Sequence, residues 1–252
     1  MCILCWNVVM FTCGPSLFKT SAVPAVTLLN YLKGLSPVAL FTEGDSIGSP
    51  NLTDSITGVT ATLSGTYTLG STNLVYGDPT KSILWNGSTA HANTTAGSMW
   101  SLGISDFSAV WVQKWTSSSF GCTLAVRDST NILFLSCINR VVTGDVEVEC
   151  WNWSSSKVSA GAGFNDGNVH TIYIYYTASS NTLGIYVDGV SKASAVQTNA
   201  RPTATSMWIT LGNNSGYTQG QPCNQGFVTL FNKNLTASQI TSISNLVKFG
   251  HT

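Results

Sequence analysis

Charge is scarce in this chain. Only 9% of its 252 residues are Asp, Glu, Lys or Arg, against about 25% in an ordinary soluble domain. Eleven basic residues balance eleven acidic ones. No Lys/Arg cluster offers the density that phosphate neutralisation needs, so nucleic acid is not an expected partner. Long hydrophobic runs are also missing. The apolar start, MCILCWNVVMF, is shorter than the ~18 residues of a membrane span. It lacks the basic opening and small-residue cleavage site of a secretory signal as well, so neither membrane insertion nor secretion is expected. With three histidines in the chain, no nucleophile elbow or Ser-His-Asp order stands out.

The seven cysteines (Cys2, Cys5, Cys13, Cys122, Cys137, Cys150 and Cys223) are odd in number and form no evident disulfide framework. Those inside strand-like runs read as small hydrophobes. Cys2 and Cys5 have metal-knuckle spacing, but no second pair completes four ligands. The stretch GAGFNDG (161–167) imitates a dinucleotide loop yet leads into a strand, which offers phosphate no helix N-terminus. Loop carboxylates such as Asp166 or Asp188 lack dense calcium-ligand spacing. Neither metal nor cofactor is expected. Reduced thiols imply assembly in a reducing cytoplasm.

What the chain has instead is a period of two. Residues 1–37 form an N-terminal arm, apolar at first and then containing a short helix. In VPAVTLLNYLKG, Pro24 suits the first turn and Gly34 the stop, with Val26, Leu29 and Leu32 near one face. Residues 38–252 are the body. FSAVWVQKW (107–115), CTLAVRD (122–128), ILFLSCIN (132–139), VEVECWNW (146–153), VHTIYIYY (169–176), TLGIYVDG (182–189) and SMWITLG (206–212) are short, β-branched and aromatic, with Gly, Asn, Asp and Ser between them. TASSNTL predicts a hairpin, and Asp188-Gly189 a tight turn. Thr236 and Gln239 predict a capping box that opens a C-terminal helix. Many antiparallel strands with one terminal helix predict an all-β sandwich.

DGNVHTIYIYYTASSNTLGIYVDGVSKASA (166–195) resembles the core signature of laminin-G-like domains: DG-x-x-H, an alternating strand, a hairpin, then a Leu-x-x-Tyr-Val-Asp-Gly strand. SILWNG (82–87), FSAVWVQKW and ITLGN…GFVTLFNKNLTASQI resemble flanking pieces of that family in the same order, so the likeness spans roughly residues 38–247. Val169 departs from the family's usual Trp. The resemblance implies a concanavalin-A-like jelly roll of two curved antiparallel sheets, a fold shared by lectins, adhesion modules, particle coat proteins and glucanases. It also implies a structural role for His170.

GDVEVECWNW (144–153) raises the glucanase question. Retaining enzymes of this fold carry Glu-x-Asp-x-Glu on one strand; here Asp145, Glu147 and Glu149 swap those identities. Residues i and i+4 on a strand lie about 13 Å apart at Cα, whereas retaining hydrolysis needs carboxyls about 5–5.5 Å apart. Shortening the nucleophile to Asp works against that approach. With Val146 and Val148 facing the core, the three acids are expected to face outward, with Trp151 and Trp153 on their side. Tyr173, Tyr175 and Tyr186 lie opposite Ile172, Ile174, Ile185 and Val187 and are expected to add flat aromatic area to a contact surface. Single alanine changes at these tyrosines should cost little stability.

The expected function is a non-catalytic structural and adhesion protein on a virus particle, either a fibre or a capsid decoration. It would assemble in the host cytoplasm, bind neighbouring virion subunits through the arm, form a homo-oligomer and contact a host glycan. Trp151, Trp153, Tyr173, Tyr175, Tyr186, Glu147 and Glu149 are the candidate ligand-binding residues. The alternatives are a cellular carbohydrate-binding adhesion module and a β-glucan hydrolase using Asp145, Glu147 and Glu149.

Overall fold

The computed structural model describes residues 27–42, 48–95, 105–116, 121–128, 133–139, 143–149, 157–197, 207–213 and 220–250. Trp151, Trp153, Cys2, Cys5, Cys13, Cys150 and the arm up to residue 26 lie outside the described residues.

In chain order the elements are α1 (Leu28–Gly34), β1 (Ala39–Phe41), β2 (Asn51–Thr53), β3 (Thr60–Ser64), β4 (Tyr67–Thr68), β5 (Ile83–Trp85), β6 (His91–Thr94), β7 (Phe107–Lys114) and β8 (Gly121–Asp128). Then come β9 (Leu133–Asn139), β10 (Val146–Glu149), β11 (Lys157–Ser159), β12 (Val169–Thr177), β13 (Thr182–Val187), β14 (Val190–Val196), β15 (Met207–Leu211), β16 (Cys223–Phe231) and α2 (Ala237–Phe249). One sheet runs β14-β13-β12-β7-β16-β5-β4, with β1 also on β16; the other runs β11-β10-β9-β8-β15-β6-β3-β2. All of these strand pairs are antiparallel. The fold is the expected all-β jelly-roll sandwich.

Alternation decides what lies between the sheets. Ile172, Ile174, Ile185 and Val187 meet Leu124, Val126, Val146 and Val148 there, around Trp85 and Trp111. Cys122 and Cys137 are buried, and burial pushes the Cys122 thiol up to about 12. The Asp188-Gly189 turn joins β13 to β14, both residues at positive φ (56° and 79°), as a two-residue hairpin of right-handed twist requires.

The two helices close a second apolar layer on the outer face of the β12–β7–β16 region. Thr27, extended at φ −70° and ψ 153°, caps α1 by accepting from the Asn30 N–H at 3.2 Å. Leu28 and Leu32, one turn apart, are buried against Leu40, Phe231 and residues of α2, each burial contributing about 1.5–3 kcal/mol. The helix that the sequence assigns to the arm is thus packed on the body. In α2 the capping box forms as the sequence predicts, between Thr236 and Gln239. Ile240, Ile243, Leu246 and Val247 point into the layer, and Gly250 ends the helix at φ 72°.

Candidate functional site

The acids and tyrosines that the sequence groups as one surface stand on opposite faces of the molecule. β10 belongs to one sheet, β12 and β13 to the other, because the chain crosses the sandwich between β11 and β12. Alternation fixes which way a side chain points from its strand, but not which sheet holds that strand.

The acids are also less exposed than expected. Glu149 is buried, Glu147 half-buried and Asp145 buried at 7% exposure. β11 lies directly beside β10, with Lys157 opposite Glu149. The Lys157 ammonium sits 2.5 Å from one Glu149 oxygen and 4.0 Å from Glu147. The Ser159 hydroxyl donates to Asp145. One lysine across the hairpin therefore serves both glutamates.

The tyrosines do face away from the inter-sheet core, as predicted, but Tyr173 is not a surface residue. At 1% exposure it lies in the layer with Leu235, Ile240 and Ile243. Its hydroxyl oxygen accepts the Leu235 N–H at 2.8 Å, and burial pushes the phenol up to about 12. The correction has a plain cause: the α2 side of the sheet is covered, and a phenol with its oxygen bonded can be part of that cover. Tyr175 and Tyr186 are half-buried and pack on Tyr173 at centroid distances of 6.0 and 5.8 Å. The Tyr175 ring lies over Gly184, where a Cβ would come within 2.3 Å of it. These rings form a packed aromatic cluster.

A different place combines concavity with chemistry. Between the 73–76 segment, the start of β12, the β13–β14 turn and the C-terminal turn of α2 lies a cleft of about 560 Å³. Its floor is an ion-pair chain. His170 Nδ1 is 2.9 Å from Asp188 Oδ2, and Nε2 is 3.0 Å from Asp166 Oδ1. The Lys248 ammonium reaches the same Asp188 oxygen at 3.2 Å, and Asp188 Oδ1 accepts the Thr171 N–H at 3.0 Å. Asn168 donates to Asp166 from both backbone and side chain, at 2.8 and 2.7 Å. The Phe164 and His170 rings meet edge to face, with centroids 5.3 Å apart. Two aromatic rings stand at the rim: Tyr76 is 67% exposed and Phe249 54%.

Both nitrogens of His170 face carboxylate oxygens, an arrangement that only a doubly protonated ring satisfies. Burial alone would push the imidazolium down, but Asp188 and Asp166 outweigh it and hold the group above its ordinary value. Burial opposes ionisation of Asp166 and Asp188 too, yet bonds from Asn168, His170 and Thr171 win. Asp188 is lowered, and Asp166 falls to about 2. A histidine raised on folding stabilises fully below its unfolded value of about 6.5 and loses that contribution as pH rises through the folded value. The lowered aspartates contribute above about 3.9 and lose it as pH falls. Wild type should therefore exceed His170→Gln by about 1–3 kcal/mol near pH 5–6, with the gap shrinking as the solution becomes alkaline. Urea unfolding of both proteins from pH 5 to 9 checks this; a gap that widens with pH would show that His170 is neutral in the fold.

The sequence held part of this site. His170 and Asp188 sit in the DG-x-x-H and Tyr-Val-Asp-Gly pieces, where they read as fold markers. Tyr76 and Phe249 carry no periodic signal, because a lone aromatic in a turn and one at a helix end look like any other. Among the described residues, no group of three His, Cys, Asp or Glu is placed to share a metal ion, and no helix is long and apolar enough to cross a membrane.

No protein-family model and no curated protein matches this chain. Solved structures do. The binding domain of Paraclostridial Mosquitocidal Protein 1 superposes with a TM-score of 0.62 at 12% identity, covering 85% of this chain and 52% of that one. The receptor-binding domain of botulinum neurotoxin mosaic serotype C/D gives 0.60 at 12%, covering 83% and 50%. Trypanosoma rangeli sialidase in complex with sialic acid gives 0.60 at 13%, covering 85% and 33%. The chain spans about half the length of the first two and a third of the third. At these identities the likeness is one of fold.

Proposed function

We propose that this chain is a non-catalytic recognition protein of a virus particle surface, a fibre or capsid decoration that holds neighbouring subunits and contacts a host glycan. The observation that carries the non-catalytic part is the pairing of Lys157 with Glu149 and Glu147 on the β10–β11 hairpin. A retaining hydrolase needs one free nucleophilic carboxylate and one proton-bearing acid across an open cleft. Here the trio is shared out between a lysine and a serine, and Asp145 and Glu149 are buried.

The recognition part is supported by the fold, which two toxin binding domains share at low identity, and by an aromatic-rimmed cleft outside the acid strand. The buried free thiol of Cys122 fits assembly in a reducing host cytoplasm. The virion placement rests on that thiol, the low charge and the apolar N-terminal segment, which would dock on other subunits. A cellular carbohydrate-binding adhesion module is the alternative with the same site chemistry.

The hydrolase reading has a direct test. Incubating the full chain with a panel of β-glucans should release no reducing sugar. The double variant Asp145→Asn, Glu149→Gln should then behave as the parent does. Turnover by the parent that this variant loses would install the acids as catalytic and overturn the proposal.

A further inference from the structure

We propose that the cleft between the 73–76 segment and the end of α2 is a binding site for a neutral saccharide, seated between Tyr76 and Phe249 on the Asp188–His170–Lys248 floor. The inference rests on the recognition reading above and gives it a location and a ligand class that neither the sheet faces nor the acid strand supplies.

Size comes first. About 560 Å³ falls within the roughly 300–1,000 Å³ typical of small-ligand sites. The rim is the second point. Tyr76 and Phe249 are two of the five large hydrophobic side chains that stand exposed among the described residues, and both border this one cleft. Tyr76 also walls a smaller apolar hollow of about 220 Å³ beside Leu28 and Leu246, so its ring projects between two depressions. A ring with an apolar face and a polar tip suits the C–H face of a pyranose and its hydroxyls together.

The floor decides the ligand's charge. Asp188, His170 and Lys248 line the cleft, and Asp166, bonded to His170 from just outside the lining, brings the bonded chain to two negative charges against the two positive ones of Lys248 and the imidazolium. Lys192 stands farther off, 5.6 Å over the Phe164 ring. The balanced set leaves no strong field to draw in a carboxylate, sulfate or ammonium group. Carboxylate lone pairs, ammonium protons and the Asn168 amide are what hydroxyl groups can use, since a hydroxyl both donates and accepts. The walls are fixed before any ligand arrives: the Tyr76 N–H donates to the Val247 carbonyl at 2.9 Å, tying the rim to α2. A site held in shape loses less entropy on binding.

The test uses the full chain on a glycan array carrying neutral, sialylated and sulfated oligosaccharides, followed by calorimetric titration with the strongest neutral binder. Tyr76→Ala and Phe249→Ala should each weaken that binding about tenfold, while Val196→Ala, exposed on β14, should leave it unchanged. Circular dichroism and thermal unfolding confirm that each variant folds. Neutral-glycan binding that survives both aromatic changes would leave the recognition reading standing and remove the cleft from it. Binding confined to sialylated or sulfated glycans overturns the charge argument. A parent that binds no glycan at all, beside a control lectin that does, defeats both the cleft proposal and the glycan part of the preceding one.

Discussion

Replacing Tyr173 by alanine is expected to cost about 3–5 kcal/mol of stability, the range for emptying a large aromatic site in a core. The ring is 1% exposed and fills the space between β12, Leu235 and the inner face of α2. Its loss would also leave the Leu235 N–H without the oxygen it reaches at 2.8 Å, just before the capping box that starts α2. Tyr173→Phe separates the two effects: it keeps the volume, removes the bond, and should cost about 1–2 kcal/mol. Tyr175→Ala and Tyr186→Ala, half-buried at the edge of the same cluster, should fall well below Tyr173→Ala. Equilibrium unfolding in guanidinium gives all four values. A loss under 1 kcal/mol for Tyr173→Ala would mean that α2 does not seal this face in solution, and would return the tyrosines to the surface that alternation first assigned them.

The same residue shows what a sequence can and cannot say here. Alternation sorted Ile172, Ile174, Ile185 and Val187 from Tyr173, Tyr175 and Tyr186, and the structure keeps that sorting. It could not say that a helix more than sixty residues later covers the tyrosine face, since an amphipathic helix specifies the polarity of its partner but not its address. Local chemistry was the most legible part. The Thr236–Gln239 box and the Asp188-Gly189 turn need only neighbours in sequence, and both form. The acids failed for the opposite reason. Their partner Lys157 lies eight residues past Glu149 across a hairpin, and an outward-facing acid reads as exposed until its cross-strand neighbour is known. The His170 chain combines both cases: Asp166 is four residues away, but Asp188 and Lys248 arrive through sheet pairing and helix docking. A motif supplied the residues; tertiary structure supplied their contact.

Gln225→Leu is the second change expected to have a large effect, about 2–5 kcal/mol, because two buried groups would lose their partners at about 1–3 kcal/mol each. Gln225 is fully buried on β16. Its oxygen accepts the Trp85 indole N–H at 2.8 Å, and its amide donates to the Thr123 carbonyl at 3.0 Å. Trp85 is on β5 of the same sheet and Thr123 on β8 of the other, so one side chain ties both sheets through their interior. Gln113, its register partner on β7, repeats the pattern, accepting from Trp111 at 3.0 Å and donating to Asn139 at 3.3 Å. Leucine matches the shape closely enough to avoid a cavity, so the measured loss reports the bonds. Gln225→Glu adds a pH signature. A protonated glutamic acid can still accept from Trp85 and donate to Thr123, whereas the carboxylate buries a charge beside a carbonyl. Its pKa should therefore rise on folding, and the variant's deficit against wild type should be small below about pH 4.3 and grow as pH climbs through the folded value. Chemical unfolding of both proteins at pH 4, 5.5 and 7 reads the trend. A deficit that stays flat with pH would show that water reaches the Gln225 site, and that the bridge between the sheets is not the dry one described.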